Sequence, residues 1–354
     1  MTGLLKNPLW ALLIFPFSFL YRISITLKNF LYDRNFSKPA RLDIPVISVG
    51  NVCAGGTGKT PMVLFIAEYL RKKGINPAII SRGYKRKTSG IVIVSDNKHV
   101  IISSPEECGD EPFLMARKLK DVPVLVDKNR FAAGLYAQKI FNPDIIILDD
   151  AFQHRKIYRD SDIVLIDSTN PWGNGSVLPG GPLREPLSSL KRADLIVLSR
   201  TNETENIEPV VQKIEKLSTA PITLTRYKVK SWIDIKGKTY NPDYLRHKPV
   251  FGFTATGNPQ SFKKTLKFLN VDLKGFKIYK DHHWFKESDI KTIADKAENL
   301  NAGYLVTTEK DMVKLRQSEE FVLPVLAPEI EVDIYKGKNY FEVEMKKRIS
   351  NKSV

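Results

Sequence analysis

Residues 44–70 constrain this chain more than any other stretch. An apolar, β-branched run from Ile44 to Val49 leads into Gly55-Gly56-Thr57-Gly58-Lys59-Thr60, and an apolar-periodic segment, Met62 to Leu70, follows. That order predicts strand, loop, helix. Glycines let backbone N–H groups converge on phosphate oxygens where a Cβ would block the approach, and the helix N-terminus adds its dipole. Lys59 then reaches the β- and γ-phosphates of a nucleotide, and the Thr60 hydroxyl holds Mg²⁺. The usual pattern asks for glycine six residues before the lysine. Cys53 stands there instead, and the doubled Gly55-Gly56 supplies the flexibility. The expected ATP-binding set is Cys53, Ala54, Gly55, Gly56, Thr57, Gly58, Lys59 and Thr60. The alternative is a glycine-rich turn with no ligand.

Further short apolar runs follow at 78–80, 122–126, 144–148, 162–166 and 194–198. Several are near-continuous rather than alternating, as in parallel strands covered on both faces. With helical stretches between them they predict a doubly wound α/β sheet. Residues 201–219 read as a helix plus connector. A second α/β pattern then begins, with strands at 250–253 and 304–307 and a helix at 260–269. At 354 residues the chain exceeds what one core usually serves. The expected organisation is two α/β/α domains, the first a P-loop NTPase-like doubly wound parallel sheet, preceded by an N-terminal membrane-interface helix. The boundaries are 1–35, 36–220 and 221–354.

The N-terminal expectation rests on residues 8–21, which carry no charge and feature Trp10, Phe15, Phe17 and Phe19. These 14 residues are too few for a bilayer core, which needs roughly 20, and Pro16 would kink a helix. Ile23, Leu27, Phe30 and Leu31 follow at helical spacing beside Arg22 and Lys28. Aromatics next to a basic amphipathic stretch suit a helix lying in the membrane interface. A buried apolar hairpin is the alternative, and no small-residue cleavage site marks a signal peptide. The net charge, 55 − 39 = +16, calls for a polyanionic partner. Nucleic acid would account for the charge but leaves the apolar N-terminus unexplained. Cys53 and Cys108 are too few for a disulfide framework, so a reducing compartment is the simpler reading.

Other segments carry chemistry. Ile145-Ile146-Ile147-Leu148 ends in Asp149-Asp150, the usual place for a carboxylate that holds Mg²⁺. Gly109-Asp110-Glu111-Pro112 puts two carboxylates in a turn, where Asp110 would equally serve as a helix cap. In Gly181-Pro182-Leu183-Arg184-Glu185-Pro186, Arg184 suits phosphate and Glu185 suits metal, or the two pair with each other. Asp281-His282-His283-Trp284 offers a general base or substrate contact, since adjacent histidines point apart. Neither Asn97-Lys98 nor Asn351-Lys352 continues into the Asn-Lys-x-Asp of guanine recognition.

Taken together, the chain resembles the tetraacyldisaccharide 4′-kinases, the lipid A precursor kinases of Gram-negative bacteria. The resemblance is carried by Val49-Gly50-Asn51 with Gly55 to Pro61, Ser81-Arg82-Gly83-Tyr84, the Gly109 and Gly181 turns, Asp149-Asp150-Ala151-Phe152-Gln153-His154-Arg155, Asp281-His282 and Val306-Thr307-Thr308-Glu309-Lys310-Asp311. These segments run in the family's order over most of the chain, and the family's loop also lacks the first consensus glycine. The resemblance implies phosphorylation by ATP of the 4′-hydroxyl of a tetraacylated glucosamine disaccharide 1-phosphate. It places that reaction at the cytoplasmic face of the inner membrane, against an anionic surface, with no nucleic acid and no obligate protein partner. It implies that Asp110 and His282 activate the hydroxyl, and that Asp149, Asp150 and Glu185 are the acidic groups around Mg²⁺, with Thr60. Lys59 keeps its phosphate role. Gln153, His154 and Arg184 are substrate or phosphate contacts on the same ground.

Overall fold

The computed structural model describes the backbone of residues 8–102, 104–315 and 321–350, and the side chains of that set from Leu13 to Ile349. Trp10 and the Asn351-Lys352 pair fall outside the described side chains, and residues 1–7 of the expected N-terminal segment fall outside the described chain.

The chain opens with helix α1 (Pro8–Asp33). An α/β succession follows: β1 (Val46–Asn51), α2 (Lys59–Lys72), β2 (Pro77–Ser81), β3 (Val92–Ser95), α3 (Pro105–Cys108), α4 (Asp110–Lys118), β4 (Val124–Val126), α5 (Arg130–Phe141), β5 (Ile145–Asp149), β6 (Ser161–Asp167), β7 (Leu195–Ser199) and α6 (Glu208–Glu215). The remainder is β8 (Ile222–Asp234), β9 (Thr239–Tyr240), β10 (Pro249–Thr254), α7 (Pro259–Phe268), β11 (Asp272–Ile278), α8 (Glu287–Asn299), β12 (Tyr304–Val306), α9 (Glu309–Met312), β13 (Val325–Lys336) and α10 (Lys338–Ser350).

Among the described residues all thirteen strands join one sheet, ordered β11-β10-β12-β13-β8-β7-β6-β1-β5-β2-β4-β3, with β9 on β8. Strands β8, β7, β6, β1, β5, β2 and β4 pair in parallel, as do β11, β10, β12 and β13. The two parallel sets meet along the long antiparallel pair β8–β13. Because strand side chains alternate, each central strand feeds two layers. Ile47 and Val49 of β1 and Ile145 and Ile147 of β5 pack with Met62, Ile66 and Leu70 of α2. Val46, Ile146 and Leu148 pack on the other face with Ala133 of α5. Coverage on both faces is why these strands read as continuous apolar runs. The core under α2 draws on both sides of residue 220, for Val332, Phe341 and Met345 belong to it.

Helix α1 runs through Pro16 as one element. Its buried residues include Ser18 and Asn29, while Phe15, Phe17, Phe19, Leu20, Ile23, Leu27 and Phe30 are exposed. The polar side docks. The Gly180 amide donates to Ser18 Oγ (2.8 Å), Tyr21 donates to the Arg184 carbonyl (2.9 Å), Lys28 to the Gln153 carbonyl (2.8 Å) and Asn29 to Glu185 Oε2 (3.0 Å). The buried apolar hairpin is therefore excluded: Phe15, Phe17 and Phe19 face away from the fold, and Tyr21 docks through its hydroxyl. Among the described residues no helix is long and apolar enough to cross a membrane.

Candidate active site

The buried end of β1 delivers the chain into residues 53–58, and neighbouring segments clamp that loop by its backbone. The Ala54 amide donates to Pro182 O (2.7 Å), and the Arg184 amide to Val52 O (2.7 Å). Asn51 Nδ2 donates to Thr57 Oγ1 (2.8 Å), Ser199 Oγ to Thr57 O (2.9 Å) and Arg200 Nη2 to Gly56 O (2.7 Å). Arg200 is itself paired with Asp167, which also accepts from Asn258 Nδ2 at 3.4 Å. Gly58 has φ +89°, and a Cβ there would lie 1.6 Å from the Tyr227 hydroxyl oxygen, so only glycine fits. Cys53 donates its thiol to Pro171 O (3.1 Å), and burial pushes that thiol up to about 11, so it is uncharged.

Two carboxylates, the last residue of β5 and the one after it, behave oppositely. Asp149 accepts from Ser81 Oγ at 2.8 Å. Burial, with the Glu111 and Asp150 charges, pushes its carboxyl up to about 7. Asp150 takes a left-handed φ of +49°. That turn sends its carboxylate to Arg184 Nη1 at 2.7 Å and Lys59 Nζ at 3.6 Å. Burial opposes its ionisation, yet those two cations hold it at about 2.

The third element crosses between the two parallel sets. Gly109 (φ +100°) caps α4 and would meet Tyr84 O at 3.1 Å if it carried a Cβ. Asp110 is therefore the first residue of α4 and not its cap. His282, at φ +59°, is pinned by its amide to Ala255 O (3.0 Å), and its Nδ1 lies 2.9 Å from Asp110 Oδ2. Burial raises the Asp110 carboxyl, but the His282 hydrogen bond and the Lys310 charge outweigh it and hold it at about 2. Next door, His283 turns away. Its Nε2 lies 2.8 Å from Asp289 and its ring stacks on Tyr279 at 4.9 Å. Lys310 Nζ is 2.9 Å from Glu111 Oε1, 3.7 Å from Asp110 Oδ2 and 3.5 Å from His282 Nε2.

Lys59, Thr60, Asp150, Arg184, His282 and Lys310 line a single cleft of about 560 Å³ between the two parallel sets. Ala54, Gly55, Gly56, Thr57 and Gly58 of the loop line it as well, and the remaining expected residues lie outside its lining. Asp149 is buried behind the cleft wall. Gln153 donates to Asn51 O (2.9 Å), bracing the strand end that leads to the loop. Burial, with Arg130 and Arg159, lowers His154 to about 4, so it is neutral and outside the cleft lining. Glu185 is paired with Arg192 (2.7 Å), not with Arg184, and its Oε1 is buried without a hydrogen-bond partner among the described residues. Sequence reasoning gave no role to Glu111, Arg200, Asn258 or Lys310. Glu111 and Lys310 lie inside segments already singled out, whereas nothing in the local sequence marks Arg200 or Asn258. Among the described residues no group of three or more His, Cys, Asp or Glu side chains is arranged to hold a metal unaided.

Residues 10–350 match the family model described as tetraacyldisaccharide-1-P 4′-kinase. The chain belongs to the tetraacyldisaccharide 4′-kinase family. A relative of that name from Syntrophus aciditrophicus is 40% identical over 344 residues, covering 94% of this chain and 91% of its own. Another, from Pelodictyon phaeoclathratiforme, is 34% identical over 359 residues, covering 98% and 100%. The crystal structure of LpxK from Aquifex aeolicus in complex with ATP superposes with a TM-score of 0.76 at 34% identity, covering 95% of this chain and 98% of that one. The fold is thus shared with a member of the family solved with ATP.

Proposed function

We propose that this chain transfers the γ-phosphoryl group of ATP to the 4′-hydroxyl of a tetraacyldisaccharide 1-phosphate. The observation that carries this reading is the 2.9 Å contact between Asp110 and His282 Nδ1, opening onto the cleft that also holds Lys59. A sugar hydroxyl is a poor nucleophile at neutral pH, so a positioned base helps. With Nδ1–H donated to ionised Asp110, Nε2 is left to accept the hydroxyl proton. The hydroxyl oxygen bonds to the γ-phosphorus, the bond from that phosphorus to the β,γ-bridging oxygen breaks, and ADP leaves with the electron pair. Lys59, at the start of α2, balances charge on the β- and γ-phosphates, and the backbone N–H groups of residues 54–60 cradle them. Asp150 keeps Lys59 and Arg184 on the cleft wall until phosphate draws them off.

The donor set fits Mg²⁺ bound jointly with phosphate. Thr60 and Asp149 would hold it, and Glu185 with its orphaned Oε1 is the further acidic group. Asp149, raised to about 7 by burial, is the carboxylate whose ionised form a dication would favour. Bound there, Mg²⁺ would supply charge neutralisation on the β- and γ-oxygens. Gln153 braces α1 and the strand end before the loop, and Gln153 and His154 would contact substrate only through movement of these elements. The exposed row on α1 and the +16 charge suit the anionic cytoplasmic face of the inner membrane, with α1 in the interface. Residues 36–220 carry the phosphate loop and 221–354 carry His282, so separation and closure of these two parts would make and break the base.

The test is transfer of label from γ-labelled ATP to tetraacyldisaccharide 1-phosphate in detergent micelles. Wild type should label the lipid. Asp110→Asn and His282→Ala should each lose about 10²- to 10⁴-fold in kcat while still binding ATP. Folded protein that labels no lipid would refute the activity, and variants that turn over at the wild-type rate would refute the base.

A further inference from the structure

Lys310 is a cation of this cleft that the mechanism above leaves unused. Thr308 caps α9, its hydroxyl accepting from the Asp311 amide at 3.1 Å, and Asp311 pairs with Lys314 (2.7 Å) in the core. The turn before Lys310 is thereby fixed, and its side chain crosses to the opposite half of the cleft. There it meets Glu111 Oε1 at 2.9 Å and the free ring nitrogen of His282 at 3.5 Å.

A lysine ammonium has three donors and no acceptor. Beside Nε2 it tolerates only a ring whose Nε2 carries a lone pair, which puts the remaining proton on Nδ1, facing Asp110. The charges around the imidazole make the same point. Asp110 and Glu111 face it from α4, and Asp281 Oδ1 lies 3.8 Å from Nε2. Tyr84 packs its ring 5.0 Å away, and Lys310 is the cation directly against it. Three carboxylates and no cation would favour imidazolium, and an imidazolium cannot take a proton from the hydroxyl.

We infer that Lys310 is a positioning residue for the transfer, holding the His282 imidazole uncharged with its Nε2 lone pair toward the cleft. The inference rests on the base assignment above. It goes further by naming what keeps that base unprotonated, and by setting the direction in which its neighbours act. Lys310 presents its positive charge to Nε2, and Glu111 neutralises part of that charge. A plain tie between the two halves of the cleft would instead act equally at every pH.

The experiment is the pH profile of kcat/KM, which reports the free enzyme's essential base, for label transfer to tetraacyldisaccharide 1-phosphate. Lys310→Met should move the acid limb upward by about one pH unit, an activity loss of about tenfold on the limb that shrinks toward alkaline pH. Lys310→Arg should keep the limb near its wild-type position. Glu111→Gln should move it downward, and serves alone if Lys310→Met fails to fold. A uniform loss with an unmoved limb in Lys310→Met, an unchanged rate there, or an unmoved limb in Glu111→Gln overturns the inference. His282→Ala separates the two levels. If it is inactive while the limbs of the other variants stay put, only the Lys310 assignment falls. If it turns over like wild type, the base assignment falls with it.

Discussion

Asp110 and Asp149 are buried and Asp150 is half-buried on the cleft wall, and their neighbours drive them to opposite ends of the carboxylate range. Cationic and imidazole partners hold Asp110 and Asp150 at about 2, while Asp149, facing Glu111 and Asp150, rises to about 7. For Asp110 the consequence for stability has a definite sign. Its folded value lies below the ordinary 3.8, so its contribution is present above that value and fades as pH falls toward about 2. Denaturant midpoints between pH 5 and pH 3 should therefore fall more steeply for wild type than for Asp110→Asn. Gly58 gives a second test at this scale. Its φ of +89°, and the Tyr227 oxygen 1.6 Å from where a methyl would stand, leave no room for alanine. Gly58→Ala should weaken ATP binding by about tenfold or more, about 1.4 kcal/mol, measured by calorimetric titration. The glycine was legible because its pattern is local. The roles of Arg200 and Lys310 were not, since each depends on partners far along the chain, Gly56 for one and Glu111 with His282 for the other.

Among the elements, α1 inverts the usual expectation of a helix. In α1 the docked side is polar and the exposed side carries Phe15, Phe17, Phe19 and Phe30, the composition on which the interfacial expectation rests. Which groove receives it was not readable, because that depends on the carbonyls of Gln153 and Arg184. Helix α10 lies far from the cleft in sequence, yet Phe341 packs 5.4 Å from Phe65 and 5.1 Å from Tyr69 of α2, the helix that begins with Lys59. Phe341→Ala should cost about 3–5 kcal/mol, seen as a lower thermal midpoint. The sequence located the buried parallel strands well because both faces are covered. It missed β3, β8, β9, β11 and β13. In β8, exposed Arg226, Lys228 and Lys230 alternate with half-buried residues, and β11 is an edge strand that mixes exposed Asp272, Lys274 and Ile278 with half-buried residues. Their pairing is set by tertiary contacts rather than by a hydrophobic run.

Across the whole molecule, one sheet carries both walls of the cleft, so the distance from Lys59 to His282 is governed by the β8–β13 pair between them. On the membrane reading, two forces act together: the +16 charge toward anionic headgroups and the aromatic row of α1. They separate experimentally. Raising ionic strength from about 0.1 M to about 1 M shortens the screening length from about 10 Å to about 3 Å. Binding to vesicles rich in phosphatidylglycerol should drop accordingly, while Phe15→Ser with Phe19→Ser should weaken binding to neutral vesicles as well. Helix α1 touches the loop of residues 180–185, whose Arg184 lines the cleft, so the docking element and the reaction site are a few residues apart. An enzyme seated this way meets its acceptor by lateral diffusion in a film. Its rate is then governed by the mole fraction of acceptor among surrounding lipids, and adding inert lipid at constant total acceptor should slow turnover by surface dilution alone.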